Sequence, residues 1–273
     1  MKLKNELQKA GKNKSAILAV EFYNYETLKG IMLAASRTDQ QIILQVTRAT
    51  ISYLGLPNIV SITKNLLAQH AVTGWLHLDR GNSLFLIKDC LEAGFDSIMF
   101  ETGDLNSSEY INQTREVVKM AKKYGALVEA ELGYVEKMGN GGTYLQMTDA
   151  QNACDFVKEA GVDALSIAVG NVRDKYRGIP RIDIKRLREI KNTTDTCLVL
   201  SGITGISDMV LVETVKNGIC KVNIGDEIMK PFVDSIRKQI TTADDRDIRV
   251  ILSPAIEAVR SLVKAKLKVL STV

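Results

Sequence analysis

The chain has 273 residues, with 36 lysines and arginines against 32 aspartates and glutamates, a formal charge of +4 and 45% apolar residues. That is the balance of an ordinary globular domain. The positive charge is spread thinly instead of clustering, which excludes a nucleic-acid footprint, and no apolar run approaches the ~18 residues of a membrane span. The length suits one large α/β domain, so a single domain over residues 1–273 is expected.

The N-terminal stretch MKLKNELQKAGKNKSAIL is basic but has no apolar signal core, so a soluble, cytoplasmic protein is expected. From there, short β-branched runs alternate with amphipathic segments. The strand candidates are 16–23, 41–47, 74–79, 97–102, 127–133, 164–170, 197–202 and 221–225, each followed by a helical pattern. In the helix SSEYINQTREVVKMAKKYG, the residues Ile111, Val117, Val118 and Ala121 share one face and Gly125 is the stop. The segments CLEAGFDS, VKEAGVDA and VKNGICK repeat one device of helix, glycine cap and next strand. About eight such units predict a closed (β/α)₈ barrel, an α/β fold, in preference to an open sheet. The glycine-rich stretch 136–146 reads as a mobile loop after the fifth strand.

Two scarcities limit the chemistry. Only His70 and His77 are present, so a mechanism that needs three imidazoles is excluded by counting. The cysteines Cys90, Cys154, Cys197 and Cys220 lack CxxC spacing, and are expected to be buried thiols outside any disulfide framework.

In a barrel the C-terminal strand ends and the loops after them form the active-site face. Strand alternation turns His77 and Asp79 inward, opposite Leu78, with Arg80 beginning the loop. An inward aspartate beside cations is either a general acid–base or half of an ion pair, and the residues alone leave both open. Glu129 and Glu131 likewise share a face, near Glu101 on the preceding strand. Such buried carboxylates need cations, protons or a metal. The run SGITG, residues 201–205, reads either as a glycine loop that binds an anion through its amides or as a plain tight turn.

The runs LHLDRG, CLEAGFDSIMFE, ALVEAELG, GVDALSIAVG, LVLSGITGISD and NGICKVNIGDEI, in this order, resemble the class II fructose-bisphosphate/tagatose-bisphosphate aldolase family over essentially the whole chain. The resemblance implies a (β/α)₈ barrel, a homodimer or tetramer, and an ancestry in zinc-dependent aldol chemistry on dihydroxyacetone phosphate. Carried over residue by residue, it matches the family's proton-transfer aspartate to Asp79. The three zinc histidines fall on Arg80, Arg173 and Ser201, so a catalytic zinc is not expected and no other cofactor is implied. An arginine has no lone pair for a metal but offers a fixed cationic fork to an oxyanion or carboxylate.

At the phosphate end, Gly202, Thr204 and Gly205 match the family's anion loop, and Asn223 its substrate-side asparagine. Asp174 replaces a phosphate-contacting glycine, and Asp226 a phosphate-binding threonine. Glu21 stands at an asparagine position, whereas Thr47 and Glu131 match the family. The expected catalytic set is therefore Asp79, Arg80, Arg173 and Glu131. The expected substrate set is Glu21, Thr47, Asp174, Ser201, Gly202, Thr204, Gly205, Asn223 and Asp226, around a small sugar-like or acidic substrate. The leading expectation is a metal-independent aldolase-like lyase. A non-catalytic paralogue that binds a metabolite or partner subunit is the alternative, and an ordinary zinc aldolase ranks third.

Overall fold

A computed structural model describes residues 2–38, 40–101, 107–137, 143–171, 180–242 and 247–273, with the backbone alone at 107, 134–137 and 143–145. Eight strands close into a barrel: β1 (Ile17–Glu21), β2 (Ile42–Val46), β3 (Gly74–Gly81), β4 (Ser97–Phe100), β5 (Leu127–Leu132), β8 (Ala164–Ile167), β9 (Cys197–Leu200) and β10 (Ile219–Ile224). Each pairs in parallel with the next, and β10 returns to β1 through Ile17↔Lys221 and Ala19↔Asn223. All eight predicted strands are present, and the chain is a (β/α)₈ barrel.

The outer ring is α2 (Tyr25–Ala35), α3 (Arg48–Leu54), α4 (Leu56–Gln69), α5 (Leu84–Ala93), α6 (Ser107–Tyr124), α7 (Ala150–Ala160), α8 (Ile184–Thr193), α9 (Asp208–Lys216), α10 (Asp226–Thr242) and α11 (Ile248–Leu270). Alternation in the strands sends Leu18, Val20, Leu44, Leu78 and Val128 outward into the main core beneath these helices. On α6, Val117 and Ala121 are fully buried, with Ile111 and Val118 packed partly against them. Asn24 caps α2: its Oδ1 accepts from Thr27 N at 2.9 Å while the Thr27 hydroxyl accepts from the Asn24 backbone N–H.

The N-terminal segment forms a helix of its own, α1 (Leu3–Lys12), which lies under the barrel. Its Leu3, Leu7 and Ala10 pack against Ile17, Ala19, Ile43, Trp75 and Leu127, and so seal the lower end. Two expectations need correction. The stretch 136–146 is not all loop: four consecutive pairs, from Tyr134↔Gln146 to Lys137↔Thr143, join β6 (Tyr134–Lys137) and β7 (Thr143–Gln146) in an antiparallel hairpin, and residues 138–142 lie outside the described residues. Cys197 and Cys220 are joined by a disulfide, since neighbouring β9 and β10 bring their Cα atoms to 5.9 Å, while Cys90 and Cys154 are buried thiols. Spacing along the chain could not show this, because the two cysteines meet through sheet pairing.

One irregularity shapes the upper rim. Between Leu78↔Ile98 and Gly81↔Phe100 strand β3 holds one residue more than β4, a bulge at Asp79 and Arg80. Arg80 takes φ 52°, in the left-handed region that costs a side-chain-bearing residue.

Candidate active site

At the C-terminal ends of the strands lies a cavity of about 220 Å³. The bulge in β3 turns both Asp79 and Arg80 toward it, although consecutive strand residues ordinarily face opposite ways. Asp79 is 8% exposed, and Arg80 Nε stands 3.8 Å from its Oδ2 and 3.9 Å from Glu101 Oε2. Burial works against the guanidinium charge, but the carboxylates of Asp79, Glu101, Glu131 and Glu21 outweigh it and hold the Arg80 pKa above its ordinary value. Arg80 is therefore a permanent cation at the edge of the cavity.

Across the cavity, Glu21 ends β1. Burial first, and then the charge of Asp79, push its carboxyl up to about 7; the Tyr23 hydroxyl and Arg80 oppose the shift and Asp226 adds to it. Burial, and then the carboxylates of Glu21, Asp226 and Glu227, keep the Tyr23 hydroxyl protonated. The Glu21 carboxyl can sit there because position 225 is glycine: a Cβ on Gly225 would lie 2.7 Å from Glu21 Oε2. Near pH 7 this group is divided between acid and carboxylate, which suits proton exchange with a ligand.

The floor is a hydrogen-bonded row across four strands. Asn223 Nδ2 donates to Ser201 Oγ at 3.0 Å, Ser201 Oγ stands 3.4 Å from Ser166 Oγ, and Ser166 Oγ donates to Glu131 Oε2 at 2.9 Å. The Glu131 backbone N–H donates to the Tyr110 hydroxyl at 3.1 Å, and that hydroxyl donates to Phe100 O at 2.9 Å. Glu131 is thus positioned from behind by the same residues that pack α6 on the sheet.

Below the floor, Lys221 Nζ lies 2.6 Å from Glu129 Oε2 and 3.5 Å from His77 Nε2, and His77 Nδ1 lies 2.7 Å from Ser97 Oγ. Burial and the nearby ammonium hold His77 well below its usual pKa, so it is neutral; with Lys221 donating to Nε2, the ring proton sits on Nδ1, toward Ser97. Lys221 is 2% exposed and supplies the cation that buried Glu129 requires. Tied in this way, it belongs to a buried ion pair and not to the lining of the cavity. Lys175 lies outside the described residues.

The loop after β9 meets the start of α10. Thr204 Oγ1 donates to Glu227 Oε1 at 2.8 Å, and the Gly225 N–H donates to Glu227 Oε2 at 3.1 Å. Two buried amide oxygens, Gln45 Oε1 and Asn223 Oδ1, have no hydrogen-bond partner among the described residues, and both side chains line the cavity.

The structure gathers most of the expected residues. Glu21, Thr47, Asp79, Arg80, Ser201, Gly202, Thr204, Asn223 and Asp226 line one cavity. Glu131 stands behind Ser166, and Gly205 packs toward Pro180, where its Cβ would meet Pro180 Cδ at 3.3 Å. Arg173 and Asp174 lie outside the described residues. The sequence reading did not single out Gln45, Ser166 or Met229. For Gln45 the signal was there: it stands two residues before Thr47 in an otherwise apolar strand, the alternation that turns His77 and Asp79 inward.

The family model described as "Fructose-bisphosphate aldolase class-II" matches residues 1–273. The chain belongs to the class II fructose-bisphosphate aldolase family. It is 32% identical to the 6-phospho-5-dehydro-2-deoxy-D-gluconate aldolase of Bacillus subtilis (strain 168), over 97% of this chain and 93% of that protein. It is 30% identical to the fructose-bisphosphate aldolase of Helicobacter pylori (strain ATCC 700392 / 26695), over 97% and 96%. Among solved structures, the YdjI aldolase of Escherichia coli K12 superposes with a TM-score of 0.88 at 24% identity, covering 98% of this chain and 96% of that one. A putative fructose-1,6-biphosphate aldolase of Coccidioides immitis gives 0.89 at 24% identity, covering 99% and 96%. These likenesses in structure bear on the fold. Membership of the family, with aldolases as relatives in sequence, makes this protein an aldolase-type lyase.

The described side chains do not fit the zinc that the family resemblance implies. The Arg80 guanidinium carries no lone pair. The Ser201 hydroxyl is held by Asn223 and Ser166, and both nitrogens of His77 face Ser97 and Lys221 in the barrel interior. Among the described residues no three His, Cys, Asp or Glu side chains are grouped to hold a metal ion. A tetrahedral zinc site needs three or four such ligands. Among the described residues, too, no helix is long and apolar enough to cross a membrane.

Proposed function

We propose that this aldolase breaks or forms a carbon–carbon bond in a small sugar-derived substrate without a catalytic metal. Asp79 is its acid–base, and Arg80, with Arg173, takes the electrostatic part of the zinc. The observation that carries the reading is the bulge at Asp79 and Arg80, which holds a nine-tenths-buried carboxylate and a permanent cation side by side at one cavity wall.

In aldol cleavage, the bond between the carbon next to the ketone and the carbinol carbon breaks. The carbinol hydroxyl gives its proton to a base, and the bonding electrons pass to the ketone as an enediolate. A fixed guanidinium stabilises that oxyanion as it forms. Asp79 then protonates the enediolate carbon, and in the reverse direction removes that proton. Glu131, anchored through Ser166, and Glu21 are the further proton-bearing groups at the cavity, while Thr47, Ser201, Gly202, Thr204, Gly205 and Asn223 frame the substrate. Asp174 and Asp226 are assigned to the same substrate rim. A homodimer or tetramer in the cytoplasm belongs to the same proposal.

The test is exchange of the α-protons of dihydroxyacetone in D₂O, followed by NMR in the presence of a chelator. Wild type is expected to exchange them, and Asp79→Asn to lower the rate by about 10²- to 10⁴-fold, the usual contribution of a positioned general base. Exchange that needs added zinc, or that is indifferent to Asp79→Asn, sinks the assignment. A protein that exchanges nothing and copurifies in fixed ratio with a catalytic aldolase is instead the non-catalytic subunit.

A further inference from the structure

We infer that the ligand of this cavity is a polyhydroxylated ketone without a phosphate at the β9–β10 end, unlike the phosphorylated compounds in the names of its relatives. The inference rests on reading the cavity as an aldol-type active site.

The first support is that the donors of the anion loop are already engaged. A phosphate seated between the loop after β9 and the first turn of α10 would need the Thr204 hydroxyl and the Gly225 amide. Both are bound to the two oxygens of one internal carboxylate, Glu227, at 2.8 and 3.1 Å. A carboxylate in the first turn of a helix is favourably placed, so displacing it loses two charge-assisted hydrogen bonds and a helix-end interaction.

Charge points the same way. Asp226 is the neighbouring first-turn residue of α10, and Asp79 and Glu21 line the same cavity. Arg80 is the one cation among the described lining residues, and it stands against Asp79 and Glu101 at the β3 wall. A phosphate dianion beside Glu227 would meet like charge within hydrogen-bonding range, where repulsion is only partly screened.

The third support identifies what does fit. Gln45 is 2% exposed and Asn223 7%, and the amide oxygen of each lacks a donor. A buried acceptor left unmatched is costly, and a ligand that donates to it recovers that cost. Hydroxyl groups donate hydrogen bonds, whereas a fully ionised phosphate can only accept them. Two orphan acceptors lining the same cavity as an occupied anion cradle therefore call for a ligand with hydroxyls, and a phosphate group serves neither of them.

Calorimetry and melting curves on the full chain test this, with dihydroxyacetone, dihydroxyacetone phosphate and inorganic phosphate as probes. Dihydroxyacetone should raise the melting temperature of wild type, and its phosphate should bind at least about tenfold more weakly, a value between the effects of a neighbouring like charge in bulk water and at a protein surface. The double change Asp226→Thr with Glu227→Gln should reverse that order. Gln45→Leu should melt at or above wild type when unliganded, because it removes an unsatisfied buried group, and should lose the response to dihydroxyacetone. Stabilisation of wild type by inorganic phosphate overturns the exclusion of phosphate, and no response to dihydroxyacetone overturns the polyol assignment. Because these readouts are of binding alone, a protein that binds dihydroxyacetone but exchanges none of its protons would refute the metal-free mechanism proposed above and leave this inference standing.

Discussion

Glu21→Gln is expected to melt above wild type at pH 8 by up to about 6 °C, with the gap closing toward pH 4. The Glu21 carboxyl is held near pKa 7 against an ordinary 4.5, by burial and then by the Asp79 charge. Because the folded-state value is raised, the folded protein keeps a proton that the unfolded chain releases. Stability contributed by this group is intact below about 4.5 and is lost as pH rises through 7. At about 1.4 kcal/mol per unit the loss is up to about 3 kcal/mol, and a chain of this size moves about 2 °C per kcal/mol. Glutamine keeps the shape and has no charge to bury, so its melting temperature should lack this pH dependence. Parallel melting curves for the two proteins between pH 4 and 8 would refute the shift. The group faces Asp79 and Arg80 on β3, Tyr23 just beyond β1 and Asp226 on α10, so Asp79→Asn should lower the midpoint of the same curve.

The second large effect lies in the barrel interior. Lys221→Met should cost about 3–5 kcal/mol, the usual loss when one partner of a buried ion pair is removed. That corresponds to a fall of about 6–10 °C in melting temperature. The charge on Glu129 would remain at 3% exposure without its ammonium, 2.6 Å away in wild type, and His77 would lose its nearest donor on Nε2. Proton uptake by Glu129 is then the available remedy, so the deficit should shrink as the pH falls. Adding Glu129→Gln should recover most of the loss at neutral pH, because a neutral amide is far less costly to bury than a charge. A single variant as stable as wild type, or a double variant no better than the single, would show that the pair is not needed.

The barrel was legible in the sequence because its signal is local. Each β-branched run is followed by an amphipathic segment, and the glycines after α5 and α7, Gly94 at φ 92° and Gly161 at φ 73°, end those helices as read. Alternation also gave the right facing for His77, Asp79, Glu129 and Glu131. What escaped depends on pairing between strands. Lys221 reads as an ordinary strand residue until the barrel closes and sets it against Glu129, and Cys197 meets Cys220 only through the β9–β10 ladder. The bulge was not legible either, since one surplus residue in β3 is defined against its neighbour β4. Gln45 was missed for another reason: its inward direction was readable, but its unmatched oxygen is visible only once the surrounding donors are in place.

The bulge bears on how such a pocket changes over time. By bringing residues 79 and 80 to one wall, it makes the second position a socket whose occupant can be exchanged by a single codon while the acid beside it stays put. The left-handed turn at Arg80, costly for any side chain, is the fixed fitting, because it belongs to the pairing of β3 with β4 and not to the side chain it presents.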